Sequence, residues 1–230
     1  MTDLDALRME YTVAAGTEDY ETHARFVKAL LAKVDPETVA FHFDLLRERG
    51  NRDLNLRLRA AFIKRGEPGA RFLVARIDDE ADPVMRGELL HLLGRLRHPA
   101  ALPLARQALD NDDPDLRHRG CYVLGWIGEA TDVRLLGERL RTDPSPMVRG
   151  TAATAHSQLH DHLPDAGTML LENLVGALVL ESEEGVAGWI VVTVQIISGK
   201  RFGLKEDLRE GALRGDIPAA RGKCLKAFGK

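Results

Sequence analysis

The sequence predicts an all-α fold, an α-α superhelix of about six to seven stacked helical hairpins. Three observations predict it. A short motif recurs: Asp82-Pro83-Val84-Met85-Arg86, then Asp113-Pro114-Asp115-Leu116-Arg117, then Ser145-Pro146-Met147-Val148-Arg149, with arginines 31 and 32 residues apart. Each copy runs from a helix start through apolar residues at helical spacing to a turn. The composition, 44% hydrophobic, 29% charged and 5% aromatic, suits a Leu/Ala/Arg-rich helical chain. A fixed period of this size marks a solenoid, whose units are each too small to bury their own apolar face and stack on their neighbours.

Residues 1–18 read as an N-terminal leader or cap, closed by Gly16-Thr17. The repeat array is expected over 19–215, and a C-terminal capping helix over 216–230. Walking the register back from the clear copies places Glu21 four residues before Arg25 and Asp53 four before Arg57, in line with Asp82 and Arg86, Asp113 and Arg117, and Ser145 and Arg149. An Asp or Ser at the N-cap accepts from the free amides of the first turn, and the proline after it is preorganised for a helix. The arginine lies on the same side of that turn and is expected to tie cap to cap along the array. Leu89, Leu90, Leu92, Leu93 and Leu96 then supply a buried face. Turns follow at Lys64 to Pro68, Arg97-His98-Pro99 and Gly128 to Asp132, each leading into a second helix: Ala70 to Ile77, Ala100 to Leu109, Asp132 to Leu140, and later Ala166 to Leu180. Val186 to Ile197 is rich in β-branched residues but reads as a helix, because a lone strand has no partner in such an array. A further helix is expected over Leu204 to Arg214.

The Asp-Pro-x-Val-Arg start, the Leu93-Gly94-Arg95-Leu96 and Leu124-Gly125-Trp126-Ile127 endings, and the short helix at Ala101-Leu102-Pro103-Leu104 resemble HEAT repeats. The variety they resemble is the short HEAT-like repeat of phycobilisome lyase subunits. The resemblance is strongest over 82–160 and traceable over 20–197. It implies the fold; functions among such arrays range over scaffolds, chaperone-like subunits, bacterial immunity proteins and a few nucleic-acid enzymes.

Net charge is −3, from 32 basic and 35 acidic residues, so no overall field favours nucleic acid or an anionic membrane. The N-terminus has no basic segment followed by an apolar run, and no apolar run is long enough to span a bilayer. A cytoplasmic protein is expected. Cys121 and Cys224 form no metal spacing and read as structural residues. His156, His160 and His162, with Asp161, have the residue types of a metal site, but the spacing fixes no third acid. No metal and no cofactor are expected. No phosphate loop or nucleophile triad is present in the pattern.

Function is therefore sought on the second helices, which line the concave side of HEAT-like arrays. They carry Arg71, Arg76, Arg106, Arg134, Arg139 and Arg141 against Glu138 and few other acids. The expectation is a non-enzymatic module that binds an acidic protein partner on this surface, as scaffold, adaptor or immunity-type inhibitor. The alternatives are a HEAT-like DNA glycosylase and a chromophore lyase or chaperone subunit. Trp126 and Trp189 are expected in the core.

Overall fold

The computed structural model describes residues 2–207 and 211–230 and is all-α but for one short hairpin. It divides into two compact units, Met1–His98 and Pro99–Lys230.

The first unit holds α1 (Asp3–Ala15), α2 (Tyr20–Leu31), α3 (Pro36–Asp44) with a 3-10 turn at Leu45–Arg47, α4 (Arg52–Ile63), α5 (Glu67–Arg76) and α6 (Pro83–Arg95). Helices α2, α4 and α6 pack side by side, with α3 and α5 behind them. Phe26, Phe43, Phe62, Leu58 and Leu73 form its dry centre. The caps at Asp35 and Asp82 follow the sequence pattern, each accepting from an amide of its first turn. Two caps do not: α2 starts at Asp19 and α4 at Asn51, so Glu21 and Asp53 lie inside the first turn rather than at the cap. Asn51 wins because it also donates to the Thr17 carbonyl at 2.7 Å, a second bond that Asp cannot make.

The second unit holds α7 (Ala101–Ala108), α8 (Pro114–Ile127), α9 (Asp132–Thr142), α10 (Pro146–His162), α11 (Gly167–Leu180), α12 (Glu184–Ser198), the strands β1 (Lys205–Asp207) and β2 (Ala212–Arg214), and α13 (Ile217–Ala227). First helices α8, α10 and α12 form one layer, with α9 and α11 behind. Helices α8 and α10 approach closely because small residues face each other. A Cβ on Gly125 would stand 3.1 Å from Ala155 and 2.3 Å from the Gln158 Oε1. Helix α12 forms despite its β-branched residues, since Val186, Ile190, Val191 and Val194 are all buried in this layer.

The helix expected over Leu204 to Arg214 is corrected. Strands β1 and β2 pair antiparallel there, Lys205 opposite Arg214 and Asp207 opposite Ala212, while the remainder of that expectation, 208–210, lies outside the described residues. Glycines explain the change: Gly199, Gly203, Gly211 and Gly215 all hold positive φ, a backbone that no helix accepts. Gln195 of α12 fastens the loop, donating to the Leu204 carbonyl and accepting from the Phe202 amide at 2.7 Å. Leu213 then presses on Gly188 of α12, where a Cβ would stand 2.6 Å from Leu213 Cδ1.

Candidate functional site

The arginines of the second helices meet acids of their own helix, of turns and of a neighbouring helix, and in one case an amide. Arg106 donates to Asp132 at 2.7 and 3.0 Å and to Glu129 at 2.8 Å, and these bonds hold its guanidinium well above the ordinary range. Arg139 reaches Asp110 at 3.0 Å, and Arg141 reaches the Asn173 amide oxygen at 3.4 Å. Arg71, Arg76 and Arg134 sit near Glu67, Glu80 and Glu138, at 3.7, 3.9 and 3.8 Å. Arg71 and Arg76 belong to the first unit and the other four to the second. Glu67, Glu80 and Glu138 stand four positions from their arginines, whereas Glu129, Asp132, Asp110 and Asn173 stand 23 to 32 positions away and were legible as residues but not as partners.

The repeat arginines form joints whose other half the motif does not display. Arg117 donates through Nε and Nη2 to Asp143 at 2.8 and 2.9 Å, and through Nη1 to the Asn111 and Asp112 carbonyls. Arg149 repeats this on Glu181, at 2.8 and 2.9 Å, and on the Asp143 carbonyl. Burial pushes the Asp143 and Glu181 carboxyls up, but the arginine bonds and the amides of Ser145 and Glu183 outweigh it and hold both low. Arg86 donates to the Glu80 carbonyl, while Arg47 takes the Glu80 carboxylate at 2.6 Å. A readable signal existed: Glu80, Asn111, Asp143 and Glu181 each stand two residues before a cap and accept its amide. Arg57 and Arg25 make no such joint; Arg57 lies over the Tyr20 ring at 4.3 Å and Arg25 bonds Thr22.

The histidines do not converge. His156 is buried and bonds its own helix at the Ala152 carbonyl, and burial pushes it down to about 4. His162 bonds the Gln158 and Gly128 carbonyls, while the His160 ring stands against Gly167. Among the described residues no three of His, Cys, Asp or Glu stand together as a metal-holding group. Cys121 and Cys224 are buried, which pushes their thiols up to about 12 and about 11, so neither is a ready thiolate.

The second unit carries an open groove of about 650 Å³ along α10. Its floor is one face of that helix at helical spacing: Met147, Gly150, Thr151, Thr154, Ser157 and Gln158. One wall is α12, with Val186, Trp189, Val192, Thr193 and Ile196; the other begins at Tyr122 of α8. Glu183, at the α12 cap, and Glu206, on β1, line it as well. A Cβ on Gly150 would stand 4.0 Å from the Trp189 ring, an ordinary contact, so the floor has room beneath that ring. Trp126 and Trp189 are half-buried rather than in the core, which corrects the expectation for both. Trp126 stacks on Tyr122 with ring centroids 5.7 Å apart, and His118 meets Tyr122 edge-on at 4.8 Å. Sequence reasoning passed over this groove because its floor is Gly, Thr and Ser, residues without catalytic signature, and its walls read as ordinary helix cores.

A family model for HEAT repeats matches residues 70–157. Over those residues the repeats are HEAT repeats. Curated proteins similar to it include the deoxyhypusine hydroxylases of Rattus norvegicus, 33% identical over 110 residues, and of Candida albicans, 25% identical over 129 residues. That of Homo sapiens is 29% identical over 126 residues. These alignments cover 46%, 50% and 51% of this chain and 36%, 40% and 41% of the relatives, so the chain matches about two fifths of their length. Among solved structures, the complex of CpcE and CpcF of phycocyanin lyase from Nostoc sp. PCC7120 is similar with a TM-score of 0.59. That likeness covers 69% of this chain and 99% of the other at 19% identity, and it shows the fold. The expectation of a non-enzymatic protein-binding module is corrected here, because the curated relatives are enzymes. Among the described residues no helix is long and apolar enough to cross a membrane.

Proposed function

We propose that this chain is part of an enzyme and that the groove along α10 is where it holds its substrate. The observation that carries this reading is the groove itself: about 650 Å³ within one compact unit, built on three packed helices and walled by aromatic rings. Ligand sites are concave, mostly apolar and furnished with a few placed polar groups, and this one has that make-up. Its rigid floor also suits substrate positioning, since helices hold side chains more firmly than loops do. The hydroxylase name of the curated relatives and the lyase name of the structural neighbour support an enzymatic setting.

Hydroxylation requires an oxygen-activating group. The described residues gather no three-donor set for a metal, so no oxidative step is assigned to them. What they do is bind and orient: Trp189, Val192 and Ile196 cover apolar surface, and the polar floor fixes the register of whatever lies on it.

The test is a comparison of intact-protein masses in source cells that lack the chain and in cells given back either wild type or Thr154→Arg. The arginine fills the floor without touching the core. Wild type is expected to restore a covalent mass change on at least one cellular protein, and the variant to lose it while circular dichroism shows it folded. Equal restoration by both chains would sink the reading.

A further inference from the structure

We infer that the second unit holds a further site, a slot between α11 and the end of α13, which binds an anionic amphiphile: a single straight alkyl chain with a carboxylate head. It is independent of the groove along α10. The slot has a volume of about 370 Å³ and is lined by Leu171, Val175 and Gly176 of α11 and by Phe228 just beyond α13, together with Glu172 and Lys230. The repeat explains why it is apolar. Asp143 and Glu181 hold the same place, two residues before a cap. Ten, six and two residues before Asp143 stand Val133, Gly137 and Arg141, on the face of α9 that α11 covers. Asn173 of α11 donates to the Val133 carbonyl at 3.0 Å, accepts from Arg141 at 3.4 Å and would stand 2.5 Å from a Cβ on Gly137. The same counts back from Glu181 give Leu171, Val175 and Val179. Helix α11 thus repeats a receiving face, and among the described residues no further second helix follows to cover it. Helix α13 reaches α11 only at its last turn, where Arg221 donates to the Leu178 carbonyl at 2.7 Å. With Glu172 as its single charge, α11 has the composition of a helix covered on more than one side, yet Val179 is 46% exposed.

Size decides what fits there. An α-helix is about 10 Å across, so two turns of one take up roughly 800 Å³, about twice the slot. A thin tail does fit. From Thr168 to Gly176 the α11 side of the slot runs about 12 Å at about 1.5 Å per residue. A Cβ on Gly176 would meet nothing within 4 Å, so the tail can lie directly against the helix backbone. Leu171, Val175 and the Phe228 ring then cover it, the mostly apolar make-up of a small-molecule site.

Charge decides the head. Lys230 lines the slot, and the Lys200 Nζ stands over the Phe228 ring, 4.6 Å from its centroid. Both lysines are exposed, and neither forms an ion pair among the described residues. Glu172 is the one acid of the lining. Two cations against one carboxylate leave a single positive charge, which a carboxylate head matches and a doubly charged phosphate head exceeds. Acids nearby in sequence are engaged: Asp207 pairs with Arg214, and Asp216 caps α13 by accepting from the Ala219 amide at 2.8 Å. A neutral head gains nothing from the lysines, and a cationic one meets repulsion. The net charge of −3 hides this, because the cations gather at one end of the chain.

The test is isothermal titration calorimetry of the full chain with decanoate, decanol and decyltrimethylammonium, all below micelle formation. Decanoate is expected to bind one to one and about tenfold more tightly than decanol, and the cationic twin to show no binding. Gly176→Leu fills the slot from an open helix position and is expected to abolish binding with the circular dichroism spectrum unchanged. Lys200→Gln with Lys230→Gln is expected to bring decanoate down to the affinity of decanol. Thr154→Arg, in the groove along α10, should leave decanoate binding untouched. No binding of decanoate, decanol binding as tightly, decanoate binding that survives Gly176→Leu, or its loss on Thr154→Arg would each overturn the inference. So would a chain that ignores decanoate but floats with phosphatidylserine vesicles until Gly176→Leu is introduced, which would make this face a contact for a lipid surface instead.

Discussion

The two units use the same helical hairpin and join successive hairpins by different means. In the second unit each arginine stands four residues after its cap, at Arg117 after Asp113 and Arg149 after Ser145, and each grips a carboxylate two residues ahead of the next cap. In the first unit Asp82 keeps that spacing to Arg86, but the caps Asp19 and Asn51 stand six residues before Arg25 and Arg57. Two residues turn a helical side chain by about 200°, which carries those arginines off the joint face. The register eight residues after the arginine differs in the same sense. It holds Gly125 after Arg117, where α10 packs directly on the backbone, and Gly94 after Arg86, but Arg65 after Arg57. Arg65 is buried and spans its gap with three bonds, to His42 Nδ1 at 2.8 Å, the Lys33 carbonyl at 2.8 Å and the Leu30 carbonyl at 3.0 Å. Five of the seven phenylalanines, Phe26, Phe41, Phe43, Phe62 and Phe72, fill the first unit, whereas the second relies on Ala152, Ala153 and Ala155. Small residues let helices close up and leave a shallow, regular surface. The groove lies where that regularity is greatest.

The largest expected effect breaks this contrast directly. Asp143 is 3% exposed and its charge is met by Arg117, so Arg117→Ala strands a buried carboxylate and should cost about 3–5 kcal/mol. Arg57→Ala removes the same residue from the same motif position but only a stacking contact with an exposed Tyr20, and should cost under about 1 kcal/mol. Urea midpoints at unchanged slope measure both. Similar losses at the two positions would mean that the repeat motif, rather than the joint, sets the energy.

Much of this was legible. The period, the proline-led caps of the later copies, and the helix at Glu184–Ser198 follow from cap chemistry and helical spacing, which are local. The first unit's true caps were not, because Asn51 outcompetes Asp53 only through a bond to Thr17, 34 residues away. The hairpin at Lys205–Asp207 and Ala212–Arg214 was missed because Leu-Lys-Glu-Asp scores as helix, and only the positive φ of the flanking glycines vetoes it. Of the groove, the residues were visible but their convergence was not. Tyr122 and Thr154 stand one repeat period apart, but the cap of α12 at Glu183 follows Ser145 after 38 residues, so the register does not carry on to Trp189.

The joints should also part at different pH. His42 is held neutral because burial and then the Arg65 charge push it down to about 3. A group depressed on folding gives its stability in full above its unfolded value, about 6.5, and loses it as pH falls towards the folded one. The first unit's joint should therefore weaken from about pH 6.5 downwards, by at most about 1.4 kcal/mol per pH unit. Asp143, also depressed, keeps its contribution above about 3.9 and loses it only as pH drops through its folded value. His156 adds a loss of the first sign within the second unit, so single variants are needed to separate the terms. His42→Gln, whose amide can still accept from Arg65 and donate to the Leu58 carbonyl, should flatten the stability curve between about pH 6 and 4. Asp143→Asn should flatten it only below about pH 4. A His42→Gln curve that still falls like wild type across the upper window would remove His42 as the cause.

The smallest expected effect concerns how helices end. Helix α12 stops at Gly199, with φ at 69°, the left-handed backbone that glycine adopts without strain. Helix α6 stops in the same backbone region with Arg97, at φ 51°, and closes the turn with bonds from His98 to Leu93 and from Arg97 to Gly94. A Cβ in that conformation crowds the neighbouring carbonyl at a cost of about 1 kcal/mol, and Arg97 is exposed, so little packing offsets it. Arg97→Gly should accordingly stabilise the chain by about 0.5–1 kcal/mol, part of the gain being returned through the freer unfolded chain. Gly199→Ala should destabilise it by about 1 kcal/mol. Opposite signs from paired thermal melts would show that both units obey the same rule at their helix ends and differ only in how well the residue suits it. A loss on Arg97→Gly would instead assign the Arg97 side chain a contact worth more than its backbone strain.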